Sequence, residues 1–407
     1  MNETRLRMCP ICDSSDTMQF LLRRNVPVHE NLALRDYGSS RSIARGAMEL
    51  VACRLCGFIF NNAFDFHLLS YGQDYDSNQS YSHKFSGYLD DIVDYLQRER
   101  SVTNARVVEI GCGRGSFIRK LVGDTDTGNT GIGFDPSYEG PELDLGGRLS
   151  FQQSYYDTNS ISGSMDVVIC RHVIEHIPNP LELLRNIRHS AYLLPSSRVF
   201  FETPDVEWIL RHNVLYDFTY EHCSLFSERS IVTAFQRCGF SVTSVHHVFD
   251  DQYLWIEAVP TNLGCAPSSL PPDSGFTAFA LAYASKEKET LLEWIGRLQL
   301  VLSGSRTKKI GVWGAGGKGT VFLNLIDPDR QLIDCAVDIN PNKQGCYVSG
   351  TGHPIVSYHD LFARQVTDVI VMNPIYYSEV QALITQNNIP VTLIDWSSVP
   401  NLSPSEQ

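Results

Sequence analysis

Short runs of β-branched and aromatic residues alternate with segments of helical periodicity through the middle of the chain. The runs VVEIG, GIGFD, MDVVIC and RVFFETP are typical of strands. Helical patterns at 115–123 and 179–194 lie between them. Because strands that alternate with helices form mostly parallel sheets, this region is predicted to be an α/β domain.

A second alternation of the same kind follows in the last third of the chain. Residues 261–275 are rich in Pro, Ser and Gly and predict a linker, and residues 276–302 predict one long amphipathic helix. The predicted apolar side of this helix holds Phe276, Phe279, Leu281, Leu291, Ile295, Leu298 and Leu300. The strand-like runs KKIGVWG, IDCAVDIN, DVIVMN and VTLIDW come next. The predicted fold class is α/β, with two doubly wound, mostly parallel, Rossmann-like domains at 66–260 and 276–400, preceded by a small domain at 1–65.

Composition restricts the classes of function. The chain has 407 residues, 43% of them hydrophobic, which is enough for two or three domains. Its 33 basic and 46 acidic residues give a net charge of −13, which argues against broad binding to nucleic acid or to anionic membranes. No apolar run approaches the roughly 18 residues of a membrane helix, and the first residues lack the apolar core of a signal peptide. We therefore expect a cytoplasmic protein that is a monomer or a weak dimer.

Four of the eleven cysteines form two C-x-x-C pairs, Cys9 with Cys12 and Cys53 with Cys56. Each pair can place two thiolates on one turn, so that two pairs complete a tetrahedral zinc site. A small domain buries little apolar surface, and a bound metal would supply folding free energy. A redox dithiol is the alternative, but such a motif normally lies in a β-α-β unit, which is absent here. We predict a closed, structural Zn²⁺ site in the domain at 1–65.

A glycine-rich turn follows the first strand of the predicted α/β domain. The strand ends at Glu109, and Gly111, Gly113 and Gly115 follow before a helix. Glycines let the backbone turn tightly and approach a ligand. The next strand ends at Asp135, where a carboxylate can accept hydrogen bonds from two ribose hydroxyls.

A third strand completes this set with the stretch D-V-V-I-C-R-H-V-I-E-H-I-P-N-P. The three segments together resemble the class I methyltransferases, whose hallmark is E-x-G-x-G-x-G followed by an acid that ends the second strand. The resemblance implies S-adenosyl-L-methionine as the cofactor, in a site lined by Glu109, the glycines, Asp135 and either Arg171 or His172. A nicotinamide cofactor is less favoured, because its pyrophosphate prefers G-x-G-x-x-G and a helix N-terminus clear of acids.

Acidic, imidazole and phenolic side chains lie close together in Y-D-F-T-Y-E-H-C-S-L-F-S, residues 216–227. This stretch follows a predicted strand and so lies near the carboxyl ends of the sheet, where α/β enzymes bind ligands. The imidazole of His222 is a suitable base near neutral pH, and Glu221 beside it would raise its basicity or orient it. The alternative is an exposed loop that only caps the helix beginning at Ser227.

Two other segments are candidates for the same chemistry. His176 in I-E-H-I-P-N-P is a second possible base, although this motif can also simply shape a cofactor pocket. Residues 70–83 are aromatic, polar and poorly periodic. They form either a lid that brings Tyr75, Tyr81 and His83 over an acceptor, or a linker.

A second glycine loop, V-W-G-A-G-G-K-G, opens the C-terminal α/β region. Gly314, Gly316 and Gly319 fit a dinucleotide fingerprint, and Asp338 ends the next strand. Read alone, the loop predicts NAD binding. Lys318 within the turn, however, suits a phosphate or pyrophosphate on an acceptor better than a dinucleotide.

Two later loops add polar groups that could bind a base or a sugar. They carry Lys343 and His353 in 338–356, and Asn373, Tyr376 and Tyr377 in 371–379. From these loops and the glycine turn, we predict that substrate is bound by Gly316, Lys318, Asp338, Lys343, Asn373 and Tyr376.

The order of motifs along nearly the whole chain resembles the three-domain nucleotide-sugar C-methyltransferases. The motifs are C-x-x-C twice, the class I unit, E-H-x-x-x-F-S, and G-A-G-G-K-G with D-x-N-P-x-K-Q-G. Such enzymes methylate the carbon beside the ketone of a nucleoside-diphosphate 4-keto-6-deoxy sugar in deoxysugar biosynthesis. The resemblance implies an N-terminal zinc domain, a methyltransferase domain with an N-terminal lid, and a C-terminal domain that helps to hold the nucleotide sugar.

The resemblance also implies a role for each candidate. His222 would remove the proton from C-3 of the sugar, and Glu221 would steady it. His176 would face the acceptor, and Tyr75 or Tyr81 would reach it from the lid. An enolate is costly, so both a base and a polar clamp on the developing oxyanion are required.

The sequence departs from this family at two places. Thr219 stands where members commonly carry a tyrosine, which Tyr220 or Tyr216 would have to replace. Residues 251–258, D-Q-Y-L-W-I-E-A, stand where sugar enzymes often have H-G-G-S-x-R. Three alternatives stay open: a methyltransferase of this architecture acting on oxygen, nitrogen or a non-sugar carbon, a scaffolding protein with a degenerate core, and a nicotinamide enzyme.

Overall fold

The fold was analysed in a computed structural model that describes residues 8–69, 75–76, 78–158, 161, 163–261, 274–303 and 308–395. Most of the predicted linker at 261–275 lies outside these residues. Residues 70–74 and 77 of the predicted lid, and the end of the last predicted domain, lie outside them too.

The N-terminal region is an antiparallel sheet. Its elements are β1 (Thr17–Pro27), α1 (Tyr37–Arg41), β2 (Arg45–Cys53) and β3 (Ile59–Asn61). β2 pairs with both β1 and β3. The first C-x-x-C pair lies before β1, and the second runs from the last residue of β2 into the β2–β3 turn. The sequence shows little periodicity here because β1 is interrupted by two register shifts that break its alternation.

The middle region is the predicted α/β unit. Its helices are α2 (His83–Asp94), α3 (Ser116–Gly123), α4 (Pro180–Arg188), α5 (Val206–Arg211) and α6 (Glu228–Arg237). Its strands are β4 (Arg106–Ile110), β5 (Thr130–Phe134), β6 (Leu143–Asp144), β7 (Leu149–Gln152), β8 (Met165–Arg171), β9 (Leu193–Pro204), β10 (Ser224–Leu225), β11 (Phe240–Val248) and β12 (Tyr253–Pro260). A π-helical turn, Tyr95–Glu99, extends α2.

Eight of these strands form one sheet in the order β11-β12-β9-β8-β4-β5-β7-β6. The five strands from β9 to β7 run parallel, and β12 and β6 run antiparallel to their neighbours. The mostly parallel sheet predicted for this region is confirmed. β10 instead pairs with β3, so the loop containing Glu221 and His222 is joined to the N-terminal sheet.

One predicted helix is too long. The pattern at 179–194 predicts helix throughout, but α4 ends at Arg188, and Leu193 already begins β9. The apolar residues after Arg188 enter a buried strand, whose continuous apolar run cannot be distinguished from a helix by periodicity alone.

The C-terminal region is a second parallel α/β unit. Its helices are α7 (Ser274–Ser303), α8 (Gly317–Ile326), α9 (Leu361–Arg364) and α10 (Tyr377–Gln386). Its strands are β13 (Ile310–Trp313), β14 (Cys335–Val337), β15 (Ile355–Val356), β16 (Asp368–Val371) and β17 (Thr392–Asp395). They form a fully parallel sheet in the order β15-β14-β13-β16-β17, as predicted apart from the short β15.

The long helix α7 forms as predicted, but its buried face is different. Leu281 and Leu300 were expected on the apolar side and are 48% and 64% exposed. The buried side chains are Phe276, Ala280, Tyr283, Glu287, Trp294 and Leu298. Their spacing of three, four or seven residues forms one stripe, which includes Glu287 because this carboxylate pairs with buried Arg23 of β1 at 2.7 Å.

Short 3₁₀ turns lie at Phe66–Leu68, Thr125–Thr127, Leu145–Gly147, Ile174–His176, Tyr358–Asp360 and Pro374–Tyr376. Two of them, Ile174–His176 and Pro374–Tyr376, follow the carboxyl ends of β8 and β16.

Among the residues described, no helix combines the length and apolarity that crossing a bilayer requires.

Candidate active site

The four N-terminal cysteines converge at one point. The Sγ atoms of Cys9 and Cys56 are 3.6 Å apart, and those of Cys12 and Cys53 are 3.5 Å apart. All four sulfurs lie within 4.8 Å of one another. With Zn–S bonds of about 2.3 Å, a tetrahedral site separates its sulfurs by about 3.8 Å. The donor set and its spacing therefore fit a four-thiolate zinc site.

A cavity of about 570 Å³ lies where the three regions of the chain meet. It lies at the carboxyl ends of β4, β5 and β8 and of β13 and β14, and it is closed on one side by residues that follow β1. Both glycine loops and the loop carrying Glu221 and His222 face it. The site residues predicted on these separate segments are therefore brought together in one cavity.

The first glycine loop is held by the acid at the end of β5. Asp135 accepts the N–H of Gly113 at 2.8 Å through one carboxylate oxygen, and the N–H and hydroxyl of Ser137 at 2.8 and 2.6 Å through the other. Apart from its chain neighbours, no described residue has an atom within 4 Å of the position that a Cβ of Gly113 would occupy, so a ligand can approach the backbone there. Gly115 begins α3 with φ +76° and packs against Phe151, outside the cavity lining.

Glu109 lies at the base of this loop and is 2% exposed. Burial raises the pKa of its carboxyl to about 8. Its Oε2 has no hydrogen-bond partner within the described part of the chain. A buried acceptor of this kind is costly unless a donor satisfies it, so the site suits a ligand with an ammonium group or an N–H.

Gly111 cannot be replaced without disturbing this loop. Its φ is +75°, and a Cβ would overlap the Cγ2 of Val173, which lines the same cavity. We expect Gly111→Ala to weaken S-adenosylmethionine binding by about 5- to 150-fold, because strain and overlap cost about 1–3 kcal/mol. Isothermal titration calorimetry measures this. Gly123→Ala is the matched control, since its Cβ would meet nothing within 4 Å, and an equal loss in both variants would contradict the argument.

Arg171 and His172 both line the cavity, but their polar atoms are engaged by buried acids. Arg171 donates to both carboxylate oxygens of Glu202, at 2.9 and 3.3 Å, and stacks on Phe117 at 4.6 Å. His172 contacts Glu202 at 2.7 Å and Glu175 at 3.3 Å through its two ring nitrogens. The pair thus shapes the cavity wall.

This buried pair predicts how stability depends on pH. Burial disfavours the charged imidazole of His172, but Glu202 and Glu175 outweigh it and raise the pKa to about 9. Because the ordinary value is about 6.5, this stabilisation is complete below pH 6.5 and is lost as pH rises to 9. We expect a loss of about 3 kcal/mol over that range, equivalent to about 6–12 °C in Tm. Comparing Tm at pH 6 and pH 9 for the wild type and His172→Gln tests this, and identical pH dependences would contradict it.

The two candidate bases lie side by side. The rings of His176 and His222 are 4.8 Å apart and nearly perpendicular, at 87°. Nitrogens of both rings and a carboxylate oxygen of Glu175 lie within 4.8 Å of one another. Burial and the nearby His176 lower the pKa of His222 to about 3, so this imidazole is neutral at physiological pH. Its Nδ1 is buried and has no hydrogen-bond partner among the residues described.

Glu221 is the centre of a hydrogen-bond network. It accepts the Tyr75 hydroxyl at 2.8 Å and the Glu30 N–H at 2.9 Å, and His29 Nδ1 lies 3.5 Å away. Burial opposes its ionisation, but the hydrogen bond with His29 and the charge of His176 lower its pKa to about 2. Tyr75 therefore reaches the site from the predicted lid, and Tyr81 also lines the cavity while 41% exposed.

Tyr220, predicted as a catalytic residue, lies outside the cavity. Its hydroxyl accepts the N–H of Asp65 at 2.9 Å, and its ring packs on Phe64. Tyr216 is also buried, beneath the Lys318 ammonium, which lies 5.4 Å from the ring centre. Thr219 itself lines the cavity, and neither neighbouring tyrosine replaces the expected phenol there.

The second glycine loop repeats the arrangement of the first. Asp338 accepts the N–H of Ala315 at 3.0 Å and that of Asn340 at 2.8 Å. Lys318 at the start of α8 pairs with Asp217 of the methyltransferase region. Lys343 contacts the side-chain oxygen of Asn31 at 3.2 Å. Asp338, Lys318, Lys343 and Gly316 all line the cavity.

Two further predicted substrate residues bridge the C-terminal region to the rest. Asn373 exchanges two amide hydrogen bonds with Gln252, at 3.1 and 3.3 Å, and the Tyr376 hydroxyl donates to Gln79 at 3.1 Å. Both line the cavity. His353 lies apart from it, buried against Asp327 at 3.2 Å.

The residues that sequence reasoning missed include Glu30, Asn31 and Glu175, which line the cavity, and Glu202, which holds Arg171 and His172. Glu175 and Glu202 each lie in a motif that was noted, so a buried acid beside His172 could have been inferred. Glu30 and Asn31 follow a strand of the N-terminal sheet and have no local signal. The partners of their side chains are 190 or more residues away.

Two family models match this chain. Residues 81–245 match a model described as a methyltransferase domain, and residues 274–387 match one described as a C-methyltransferase C-terminal domain. Together with the first glycine loop and Asp135, these matches support a methyltransferase that depends on S-adenosylmethionine.

Curated relatives match part of the middle region. The chain is 30% identical over 116 residues to a ubiquinone biosynthesis O-methyltransferase of Vibrio campbellii, covering 26% of this chain and 47% of the relative. It is 28% identical over 120 residues to the protein of that name from Yersinia enterocolitica, covering 27% and 48%. The chain thus spans about half the length of these relatives.

Solved structures match a larger share of this chain than the curated relatives do. Magnesium protoporphyrin IX methyltransferase from Synechocystis PCC 6803, with bound SAH, is 19% identical with a TM-score of 0.34, over 44% of this chain and 84% of that chain. The 1,6-didemethyltoxoflavin-N1-methyltransferase of Burkholderia thailandensis is 17% identical with a TM-score of 0.35, over 44% and 80%.

Proposed function

We propose that this protein is an S-adenosylmethionine-dependent C-methyltransferase that acts on a nucleoside-diphosphate 4-keto-6-deoxy sugar. The observation that carries the proposal is the single cavity shared by the first glycine loop, the His176–His222 pair and the second glycine loop with Lys318. A cofactor, a base and an anion-binding loop in one cavity are what methylation of a nucleotide sugar requires.

The first glycine loop suits the cofactor. Glu109 offers a buried acceptor without a partner among the described residues, and the backbone at Gly113 is open to a ligand. Asp135 would bind the ribose hydroxyls. When bound, S-adenosylmethionine supplies an electrophilic methyl group.

The second glycine loop suits the nucleoside diphosphate of the acceptor. Lys318 and the N-terminus of α8 provide positive charge and free N–H groups for phosphate oxygens. Lys343 lies beside the same loop. Asp338 accepts an N–H of its glycine loop as Asp135 does, which supports a role for Asp338 in binding a ribose. A diphosphate would replace the Asp217 carboxylate that pairs with Lys318.

We assign proton removal from C-3 to His222. The neutral imidazole accepts the proton, and the C–H electrons form the enolate of the adjacent ketone. Burial and His176 keep the pKa of His222 low, but the charges of Glu175 and Glu221 act in the opposite direction and would stabilise the imidazolium that proton transfer forms. S-Adenosylmethionine held by Glu109, the backbone at Gly113 and Asp135 would supply the methyl group to the enolate carbon, and its sulfur would keep the electron pair of the broken S–CH₃ bond, leaving S-adenosylhomocysteine. Positioning of the two reactants in the cavity would supply much of the acceleration.

The Cys9–Cys12–Cys53–Cys56 cluster is proposed to hold one structural Zn²⁺. Four thiolates close the coordination sphere, so this ion would have no open position for substrate.

A second candidate function is methyl transfer to an oxygen, nitrogen or non-sugar carbon. It is favoured by the names of the curated relatives, which are O-methyltransferases, and by Thr219 at the place of the expected tyrosine. Such a reaction removes no proton from carbon, which separates it from the leading proposal.

The test is mass spectrometry of the purified protein with S-adenosylmethionine and a panel of nucleoside-diphosphate 4-keto-6-deoxy sugars in heavy water. Controls contain S-adenosylhomocysteine instead. A product heavier by one methyl group, together with deuterium at C-3 of the control sugar, supports the proposal. Neither exchange nor methylation across the panel overturns it.

A further inference from the structure

Glu30 joins all three regions of the chain. It follows β1 and is 4% exposed. Its N–H donates to Glu221 at 2.9 Å, and its carbonyl accepts the Thr320 hydroxyl of α8 at 3.0 Å. It lines the active-site cavity and also a second cavity of about 400 Å³ behind it, so it forms part of the wall between them.

The carboxyl group of Glu30 has two hydrogen-bond partners. One carboxyl oxygen accepts the N–H of Tyr220 at 2.9 Å, and the carboxyl group also forms a side-chain hydrogen bond with Glu221. Two carboxyl groups can form a hydrogen bond only if one of them carries a proton. Burial and the Glu221 charge raise the pKa of Glu30 well above its ordinary value, whereas the pKa of Glu221 falls to about 2. The shared proton therefore resides on Glu30.

We propose that Glu30 is a positioning residue that acts as a neutral acid, clamping Glu221 and the backbone of Tyr220 so that His222 is correctly placed to remove the acceptor proton. This inference rests on the proposed function. The Glu30 contacts fix the two residues before His222, and the His222 N–H is in turn bonded to Thr219 at 3.3 Å. Neither the N-terminal sheet nor the loop alone could fix this geometry.

The other charged and titratable groups around the pair come from several elements. His29 and Tyr75 contact Glu221, and His176 acts on it through charge. The Lys and Arg side chains that line the two cavities are Arg114, Arg171, Lys318 and Lys343 on the active-site side and Arg23, Arg24, Arg45 and Lys288 on the other. Of these, Lys318 and Arg23 are already paired with Asp217 and Glu287. Ionised Glu30 would place a second negative charge against Glu221 and open the clamp.

Two substitutions distinguish a neutral, hydrogen-bonding role of Glu30 from other roles of this residue. Glu30→Gln keeps a donor for Glu221 and an acceptor for Tyr220 but cannot ionise. Ionisation of Glu30 should lower the kcat of the wild type at alkaline pH. We expect the kcat of Glu30→Gln to stay within about threefold of wild type at neutral pH and to fall less than that of wild type as the pH rises. Glu30→Leu removes both bonds, and its kcat should fall about 10- to 100-fold with little change in KM for S-adenosylmethionine. Glu49→Gln, a buried glutamate of the same sheet outside the cavity, is the matched control.

Two results would overturn the proposal. A Glu30→Gln variant as inactive as Glu30→Leu would mean that the ionised carboxyl or its proton is needed, and a fully active Glu30→Leu would mean that the clamp has no role. Circular dichroism and S-adenosylmethionine affinity show whether each variant is folded.

A second readout needs no acceptor. The infrared difference spectrum of wild type minus Glu30→Gln at pH 7 should contain the carbonyl stretch of a protonated carboxylic acid. Taking the difference removes other neutral acids such as Glu109. If no sugar is methylated by the wild type, the proposed function fails, and the spectrum still decides the protonation of Glu30. A carboxylate band in place of the acid band would overturn the neutral clamp.

Discussion

The His222→Gln variant is expected to lose about 10²- to 10⁴-fold in the rate of deuterium exchange at C-3 of the acceptor, the usual contribution of a general base. His222 lines the cavity, is neutral, and has a buried Nδ1 without a partner in the described structure. Glutamine preserves polarity but cannot accept the proton. Exchange with S-adenosylhomocysteine present, followed by mass spectrometry, measures this step separately from methyl transfer.

His176→Gln is the matched control for this prediction. Its ring lies 4.8 Å from that of His222 and faces the same cavity. We expect this variant to keep exchange within about tenfold of wild type while methylation falls further, because its proposed role is to orient the acceptor. S-Adenosylmethionine should bind both variants as it binds wild type. The opposite pattern, with exchange lost only in His176→Gln, would transfer the role of base to His176.

The elements that sequence predicted best are those with strong periodicity. The core strands β4, β5, β8 and β13 are buried apolar runs that end at glycine or at polar residues, and each was recognised. The face of α7 was misjudged because an arginine–glutamate pair, rather than leucines, fills part of its buried stripe. Glu287 is buried only because Arg23 reaches it from β1, a contact 264 residues apart in sequence.

The residues of the site divide in the same way: those beside regular strands could be predicted, and those in irregular loops could not. Asp135 and Asp338 could be predicted because strand–turn–helix geometry places the end of each second strand beside its own glycine loop, and both accept an N–H from that loop. Tyr220 was misplaced because successive residues of an irregular loop point in different directions, and its hydroxyl turns toward Asp65. The role of Glu30 could not be predicted from the sequence, because its contacts form only where the three regions of the chain pack together.

Removal of zinc should disable the acceptor side of the site and leave the cofactor side intact. We expect wild type to carry about one zinc per chain and Cys53→Ser close to none, because a four-thiolate site cannot hold the ion tightly with a ligand missing. The β2–β3 turn contains Cys53 and Cys56, and β3 pairs with β10 next to the catalytic loop. Unfolding this sheet would therefore release Glu30, Glu221 and His222. Metal analysis and C-3 exchange measure the two effects.

This prediction is specific because the cofactor side and the acceptor side of the cavity depend on different sheets. The proposed cofactor groups Glu109 and Asp135 lie at the ends of strands of the eight-stranded sheet. Within the described ranges, no strand of that sheet pairs with a strand of the N-terminal sheet. Cys53→Ser should therefore bind S-adenosylmethionine within about threefold of wild type while exchange falls at least about 100-fold. Cys335→Ala, at a buried cysteine of β14 outside the cluster, should keep its zinc and its exchange. Full exchange in zinc-free protein would show that the N-terminal sheet holds its shape without metal and that the cluster has another role.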